Sequence, residues 1–138
     1  MSARILKGKP VADSMQAALS EKAHELRKKG IIPKLCIIRV GERSDDIAYE
    51  TGAVKKMTAT GIEADRVILN ASCTQEELEE VMKEKNSDEE IHGILMLRPL
   101  PSHLDEKKIT KMISPEKDVD CMNPATLAGI FEPSEDLK

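Results

Sequence analysis

Three short apolar runs, separated by segments of helical periodicity, most constrain the fold of this chain. The runs cover 35–38, 67–69 and 91–97. The first has no polar alternation, which is typical of a strand buried on both faces. An order of strand, helix, strand, helix, strand predicts right-handed crossovers and a parallel sheet covered by helices. We therefore expect an α/β fold, with a three-layer, open, mainly parallel sheet flanked by helices.

Capping signals mark the helical segments. The predicted helices cover 10–29, 44–60, a segment that begins after Thr74, and 104–113. Gly30 and Gly61 suit the position just past a helix end. Thr74 with Glu77 forms a capping-box pattern, so the third helix should begin there.

Composition excludes several classes of function. The 138 residues suit one domain, and a net charge of −4 argues against a general nucleic-acid binder. One Tyr, one Phe and no Trp leave few platforms for stacking single-stranded nucleic acid. No apolar run approaches the roughly 20 residues of a membrane span, and no signal peptide opens the chain. We expect a cytoplasmic protein without a membrane or nucleic-acid partner.

The cysteines and histidines show no metal-site spacing. Cys36, Cys73 and Cys121 are widely separated and lack C-x-x-C pairing. We expect no metal site and no disulfide framework, in keeping with a reducing compartment. Cys36 lies within an apolar run and should be a small buried hydrophobe.

A candidate ligand-binding site follows the third apolar run. Pro99 and Pro101 should end that strand, because proline fixes φ and removes a backbone donor. Ligands of open α/β sheets bind outside the carboxyl ends of strands. A charged loop at 115–120 could bring acidic groups to the same edge.

Two features near that edge each have two interpretations. Asp118 and Asp120 are either a solvated pair or include one carboxylate that accepts hydrogen bonds from an amino-heterocycle. Alternation would place Val119 opposite both. Tyr49, on the second predicted helix, either packs or offers a planar platform for a ring-shaped ligand. The chain has no Gly-x-Gly-x-x-Gly and no Walker loop, so nothing in it indicates a dinucleotide site.

Taken together, the motifs resemble those of the N-terminal catalytic domain of the bifunctional methylenetetrahydrofolate dehydrogenase/methenyltetrahydrofolate cyclohydrolase family. Pro-Leu-Pro joined to Lys-Asp-Val-Asp at this spacing is highly specific, and the resemblance spans nearly all of the chain. The matching residues are Lys7-Gly8-Lys9-Pro10-Val11-Ala12, Val40-Gly41 followed by Tyr49, Gly93-Ile94-Leu95 with Pro99-Leu100-Pro101, and Pro115-Glu116-Lys117-Asp118-Val119-Asp120.

The resemblance implies an amino-acid-dehydrogenase-like N-terminal domain that acts in one-carbon folate metabolism. The family oxidises 5,10-methylenetetrahydrofolate with NADP or NAD and hydrolyses the methenyl product to 10-formyltetrahydrofolate. The dinucleotide would be bound mainly by a following domain that is absent from this chain, and the full-length protein would be a homodimer. Residues 1–131 would form the folate-binding catalytic domain, with 132–138 as a polar tail that starts the linker.

By the same resemblance, Tyr49 would stack on the folate and Asp120 would bond the pterin edge and serve catalysis. A carboxylate suits that edge, because adjacent N–H donors form charge-assisted bonds with it. The substrate-binding positions implied by the family pattern are Tyr49, Ala53, Leu97, Arg98, Pro99, Leu100, Pro101 and Asp120.

Several positions depart from the family pattern. Ala53 stands where the family has its catalytic Lys, Leu97 where it has a Gln, and Asp46 where it usually has a Ser. Cys121-Met122-Asn123 replaces a Gly-aromatic-His run. A methyl group cannot move protons, and losing a general acid/base costs about 10²- to 10⁴-fold in rate.

Lys56 is the candidate replacement, because it lies about 20° from Tyr49 on the helical wheel. Lys55 faces away. The alternative is a degenerate or repurposed pterin-binding homologue that lacks cyclohydrolase chemistry.

Overall fold

The computed structural model describes residues 5–131, and within them it has five helices and three strands. In chain order these are α1 (Gly8–Lys28), β1 (Lys34–Val40), α2 (Ser44–Thr60), β2 (Glu63–Leu69), α3 (Gln75–Ser87), β3 (Gly93–Met96), α4 (Glu106–Met112) and α5 (Pro124–Phe131). The alternation of strand and helix through β3 confirms the predicted α/β class. No helix in this part of the chain combines the length and apolarity that crossing a membrane requires.

The sheet is parallel, with the order β2-β1-β3. The central strand β1 is buried from Cys36 to Val40, as its uninterrupted apolar run predicts. Cys36 is fully buried, and burial raises the pKa of its thiol to about 11. On its other side, β3 forms one isolated parallel bridge with the loop that follows α4. In this bridge the Ile94 N–H donates to the Lys117 carbonyl at 2.7 Å.

Each face of the sheet has its own apolar cluster, because successive side chains of a strand point to opposite faces. On one face, Cys36 and Ile38 pack with side chains from α3 and α4. On the other face, a smaller cluster joins β1 and the β3 segment to α2. Its members are Ile37, Leu95 and Leu97, with Leu35, Ala53, Val54 and Ala64 packed against them. The result is three layers, with α2 and the α3–α4 pair on opposite sides.

The apolar stripe of α1 is largely uncovered. Ala23 is its one buried residue, whereas Val11 is 60% and Met15 is 61% exposed. The helix contacts α2, where the Lys56 Nζ donates to the Gln16 Oε1 at 2.5 Å. The regular spacing of apolar residues therefore predicts the helix correctly without implying a buried face.

Two strand boundaries differ from the prediction. The second strand starts at Glu63 rather than at residue 67, because β2 pairs with β1 from Glu63 onward although its first residues form no apolar run. The third strand is limited to Gly93–Met96, because only this part pairs with β1.

The later helices also differ. Helix α4 begins at Glu106 rather than at residue 104, because the Asp105 side chain caps it by accepting from the Lys108 N–H at 3.0 Å. Helix α5 was not predicted. Its signal is Asn123 before Pro124: the Asn123 Oδ1 accepts from the Ala125 N–H at 2.8 Å, and proline suits the first helical position.

The predicted caps of the earlier helices are confirmed. The Thr74 side chain accepts from the Glu77 N–H, and the Glu77 carboxylate accepts from the Thr74 N–H. Gly61 ends α2 with a φ of 86°, a left-handed conformation that side chains with a Cβ rarely adopt.

A buried ion pair fastens α2 to the sheet. The Arg39 Nε of β1 lies 2.5 Å from the Glu50 Oε2 of α2, and the two side chains are 8% and 4% exposed. Arg39 also donates to the carbonyl of Gly41. From β2, the Arg66 Nη1 lies 3.7 Å from the other Glu50 oxygen. Glu50 therefore joins α2 to two neighbouring strands.

Replacing one partner of this pair should destabilise the domain far more than replacing both. Glu50→Ala leaves the Arg39 charge buried without its partner, which should lower the free energy of unfolding by about 3–5 kcal/mol. The double variant Arg39→Met/Glu50→Leu should lose much less, since it leaves no buried charge. Urea unfolding followed by circular dichroism measures both.

The control is Lys9→Ala, which removes an exposed ion pair to Asp13 and should change stability little. A single Glu50 variant as stable as the wild type, or a double variant as unstable as the single one, would contradict this account.

Candidate functional site

Two adjoining cavities lie beside α2, one of about 700 Å³ and one of about 440 Å³. Tyr49, Leu95 and Asp120 line both, so the cavities form one continuous cleft. The smaller cavity lies at the carboxyl end of β3, where a ligand site was expected. The larger one extends along β3 towards its amino end, where Lys34 and Gly93 line it.

One face of α2 supplies a wall of this cleft. Tyr49 is 61% exposed, and Ala53 and Lys56 follow it at one and two turns in the larger cavity. Asp46, one turn before Tyr49, lines the smaller cavity. At 100° per residue these four positions span about 80° of the helix surface. Lys56 thus lines the larger cavity on the face of α2 that carries Tyr49, and its Nζ is hydrogen-bonded to Gln16 of α1.

The end of the third strand contributes Leu97 and Arg98 to the smaller cavity. Leu97 is 7% exposed and belongs to the apolar cluster that also includes Ala53, so these two departures from the family pattern lie in one cluster. The Arg98 guanidinium is half exposed and lies 3.3 Å from Glu106.

The structure does not bring the Pro-Leu-Pro corner into either cavity. Leu100 packs against the α3–α4 core, and its N–H donates to the Glu106 Oε2 at 3.0 Å. Pro99 and Pro101 flank it, and the Arg98–Pro99 peptide bond is cis. The corner therefore packs on the α3–α4 side, away from the cleft, and the two residues before it, Leu97 and Arg98, line the smaller cavity.

Lys117 of the charged loop is a structural residue. Its Nζ donates to the backbone carbonyls of Lys85, Asn86 and Asp88 at 3.1, 2.7 and 2.6 Å. These carbonyls end α3, where helical partners are lacking and the helix dipole favours a cation. Lys117 thus fastens the loop to the end of a helix.

Asp118 is structural as well. Partial burial would raise the pKa of its carboxyl, but four hydrogen bonds hold that pKa below its usual value. The donors are the Thr126 hydroxyl and the backbone N–H groups of Asp120, Met122 and Asn123. The carboxylate thereby shapes the turn that leads into α5.

Asp120 is the carboxylate of this loop that faces the cleft, and Val119 lies beside it rather than opposite. Both line the larger cavity. The expected alternation fails because the loop passes very close to β3. A Cβ at Gly93 would lie 2.7 Å from the Val119 Cγ1, so a side chain there would displace the loop.

The described residues offer neither a metal site nor a dinucleotide cradle. Within 5–131, no group of three His, Cys, Asp or Glu side chains is placed to hold a metal ion. The turn from β1 to α2 contains a single glycine, Gly41, whereas close approach of a pyrophosphate to the backbone uses several. A nicotinamide dinucleotide therefore does not fit this part of the chain alone.

The low pKa of Asp118 predicts a pH-dependent contribution to stability. A carboxyl whose folded-state pKa is depressed stabilises the fold above its ordinary pKa, and this stabilisation is lost as pH falls through the folded-state pKa. Asp118→Asn should therefore lower the free energy of unfolding by about 1–3 kcal/mol at neutral pH, and the difference should vanish in acid. Denaturant titrations across pH measure this difference.

Asp120→Asn, two residues later in the same loop, is the matched control: the residue is exposed, so its replacement should change the free energy of unfolding little. An Asp118→Asn deficit that is constant from neutral to acidic pH would contradict the assigned cause.

Comparison with known proteins agrees with this architecture. The family model for the tetrahydrofolate dehydrogenase/cyclohydrolase catalytic domain matches residues 6–120. The bifunctional protein FolD of Clostridioides difficile is 48% identical over 129 residues, which are 94% of this chain and 45% of that protein. FolD of Alkaliphilus oremlandii is 44% identical over 93% of this chain and 45% of its own length.

Solved structures show the same likeness. The bifunctional enzyme FolD of Campylobacter jejuni superposes with a TM-score of 0.90 at 32% identity, over 93% of this chain and 45% of that one. The methylenetetrahydrofolate dehydrogenase-cyclohydrolase of Trypanosoma brucei, solved with NADP cofactor and an inhibitor, gives 0.86 at 35% identity over 94% and 45%. The chain spans less than half the length of these relatives. It belongs to the tetrahydrofolate dehydrogenase/cyclohydrolase family and corresponds to its catalytic domain.

Proposed function

We propose that this chain is the folate-binding catalytic domain of a methylenetetrahydrofolate dehydrogenase/cyclohydrolase, active in one-carbon folate metabolism. The observation that carries the proposal is the pairing of Tyr49 and Asp120 along the continuous cleft. Tyr49 offers an exposed ring from α2, and Asp120 offers an exposed carboxylate from the opposite loop. A flat heterocycle with adjacent N–H donors fits between such groups.

In this proposal the pterin stacks on Tyr49, and its amino-pyrimidine edge donates to Asp120. Ala53, Leu97 and Arg98 line the rest of the substrate site. The Pro99-Leu100-Pro101 corner keeps Leu97 and Arg98 in place without contacting the ligand. The larger cavity, with Lys34 and Lys56 on its walls, leaves room for the remainder of the folate.

When bound, NADP or NAD would accept the hydride from 5,10-methylenetetrahydrofolate. The dinucleotide would be held mainly by a further domain, since residues 5–131 offer no cradle for it. The contribution of this chain is to bind and orient the folate. Residues 1–131 then form the catalytic domain, and 132–138, which lie outside the described residues, start a linker. A cytoplasmic homodimer is the expected form of the full-length protein.

Proton handling during hydrolysis is assigned to Lys56. Its amine lies on the same face of α2 as Tyr49 and is held by Gln16 at 2.5 Å. The positions of Ala53 and Leu97 cannot take this role, because both side chains are apolar and pack in one cluster. That same packing favours the second candidate function, a pterin-binding homologue without cyclohydrolase chemistry.

Hydrolysis of 5,10-methenyltetrahydrofolate tests the proposal, because this step needs no dinucleotide. The wild-type chain should accelerate loss of the methenyl absorbance, and Lys56→Met should reduce that rate by about 10²-fold or more. Lys55→Met, the neighbouring lysine on the opposite side of α2, is the matched control and should leave the rate unchanged. Circular dichroism checks folding.

A folded wild-type chain with no hydrolysis would contradict the cyclohydrolase assignment. In that case, activity that appears only in Ala53→Lys/Leu97→Gln would establish the second candidate. In a full-length protein with its dinucleotide domain, no oxidation of methylenetetrahydrofolate with either NADP or NAD would contradict the dehydrogenase assignment.

A further inference from the structure

Asp46 is a buried carboxylate in the smaller cavity that the proposed function leaves unused. Only 8% of the residue is exposed, and it lines the cavity together with Tyr49 and Asp120. It lies in the first turn of α2, three residues before Tyr49, a spacing that places the two on the same helix face. A ligand that stacks on Tyr49 therefore comes close to this carboxylate.

The positive charges around Asp46 are engaged with other carboxylates. Arg43 lies 3.8 Å from Asp45, and Arg98 lies 3.3 Å from Glu106; both guanidiniums are about half exposed. Among residues 5–131, no side-chain hydrogen bond or ion pair involves the Asp46 carboxylate, and its oxygens reach the solvent of the cleft.

The remaining neighbours of Asp46 in the cavity are apolar. Leu95 and Leu97, whose side chains lie on the α2 side of the sheet, are at most 9% exposed, so they give this wall a low local dielectric. A carboxylate on a largely buried residue is only partly hydrated, and the amino-terminal dipole of a 17-residue helix offsets part of the resulting cost. A cationic ligand would supply the missing partner.

The folates of the proposed reaction differ in charge at one place. In 5,10-methenyltetrahydrofolate the carbon bridge between N5 and N10 carries a positive charge that is delocalised over both nitrogens. In 5-formyltetrahydrofolate the corresponding region is neutral. The two ligands share the pterin ring and the glutamate tail, so a difference in their affinities reports on recognition of the bridge.

We propose that Asp46 makes the cleft selective for this cationic, amidinium-type bridge over neutral folates of similar size. The inference rests on the proposed folate-binding function and assigns to Asp46 the role of a specificity-determining residue. Apolar side chains at Ala53 and Leu97 favour the same selectivity, since they bring no cation to that part of the cleft. The smaller cavity has three carboxylates, of Asp45, Asp46 and Asp120, against two guanidiniums.

Calorimetric titration of the chain with each folate tests the proposal. Every protein titrated, including the one called wild type below, carries Lys56→Met, so that the methenyl ligand is not hydrolysed during the titration. The wild type should bind 5,10-methenyltetrahydrofolate more tightly than 5-formyltetrahydrofolate, in a mildly acidic buffer in which the bridged cation persists. Asp46→Asn, which keeps the shape and removes the charge, should reduce the ratio of the two affinities by about tenfold, or about 1.4 kcal/mol. Its affinity for 5-formyltetrahydrofolate should stay within about twofold, because no charge contact is lost with a neutral ligand.

Glu80→Gln is the matched control, because it removes one exposed carboxylate from α3 on the opposite side of the sheet and should leave the ratio unchanged. A wild type that binds 5-formyltetrahydrofolate but does not prefer the cation would overturn the role of Asp46 and leave folate binding intact. Equal loss of both affinities in a folded Asp46→Asn would show a structural role and overturn it too. A wild type that binds neither ligand would overturn the proposed function and this inference together.

Discussion

The buried ion pair between Arg39 and Glu50 is the contact on which the site depends. It joins the central strand to α2, and Arg66 from the edge strand adds a third charge. Glu50 immediately follows Tyr49, so the contact that fixes the rotation of the helix also fixes the direction of the ring. Asp46, Ala53 and Lys56 take their places on the cleft from the same rotation. An apolar contact would hold the helix as firmly but specify its rotation less well, because hydrophobic packing has no direction.

The loop on the other side of the cleft divides its work among four consecutive residues. Lys117 and Asp118 satisfy backbone groups at the end of α3 and before α5. Val119 packs beside Gly93, and Asp120 lines the cleft. Two of the three charged residues in the Lys117–Asp120 motif therefore have a structural role. The hydrogen bonds of these two residues anchor the loop that carries Asp120, and such anchoring lowers the entropy cost of binding a ligand there.

Patterns that depend on local spacing were predictable from the sequence, and those that depend on distant contacts were not. The apolar run of β1 and the caps at Thr74 and Gly61 follow from the residues themselves. The polar start of β2 was missed because its pairing with β1, rather than its own sequence, makes it a strand. Whether Pro99 or Leu97 lines the cleft depends on how the corner packs against α4, which no sequence spacing encodes. The sequence showed Asp46 only as a departure from the Ser usual in the family. Its burial could not be predicted, because that burial comes from the tertiary fold.

The central claim is that a pterin binds between Tyr49 and Asp120, and amide chemical-shift mapping tests it most directly. Isotope-labelled chain would be titrated with 5-formyltetrahydrofolate, and an Asp120→Ala variant would be titrated in parallel. The account predicts that the largest shift changes fall on Tyr49, Leu95 and Asp120, and that the variant binds at least about tenfold more weakly. Shift changes confined to α1 or α5, or an unchanged affinity in the Asp120→Ala variant, would contradict it.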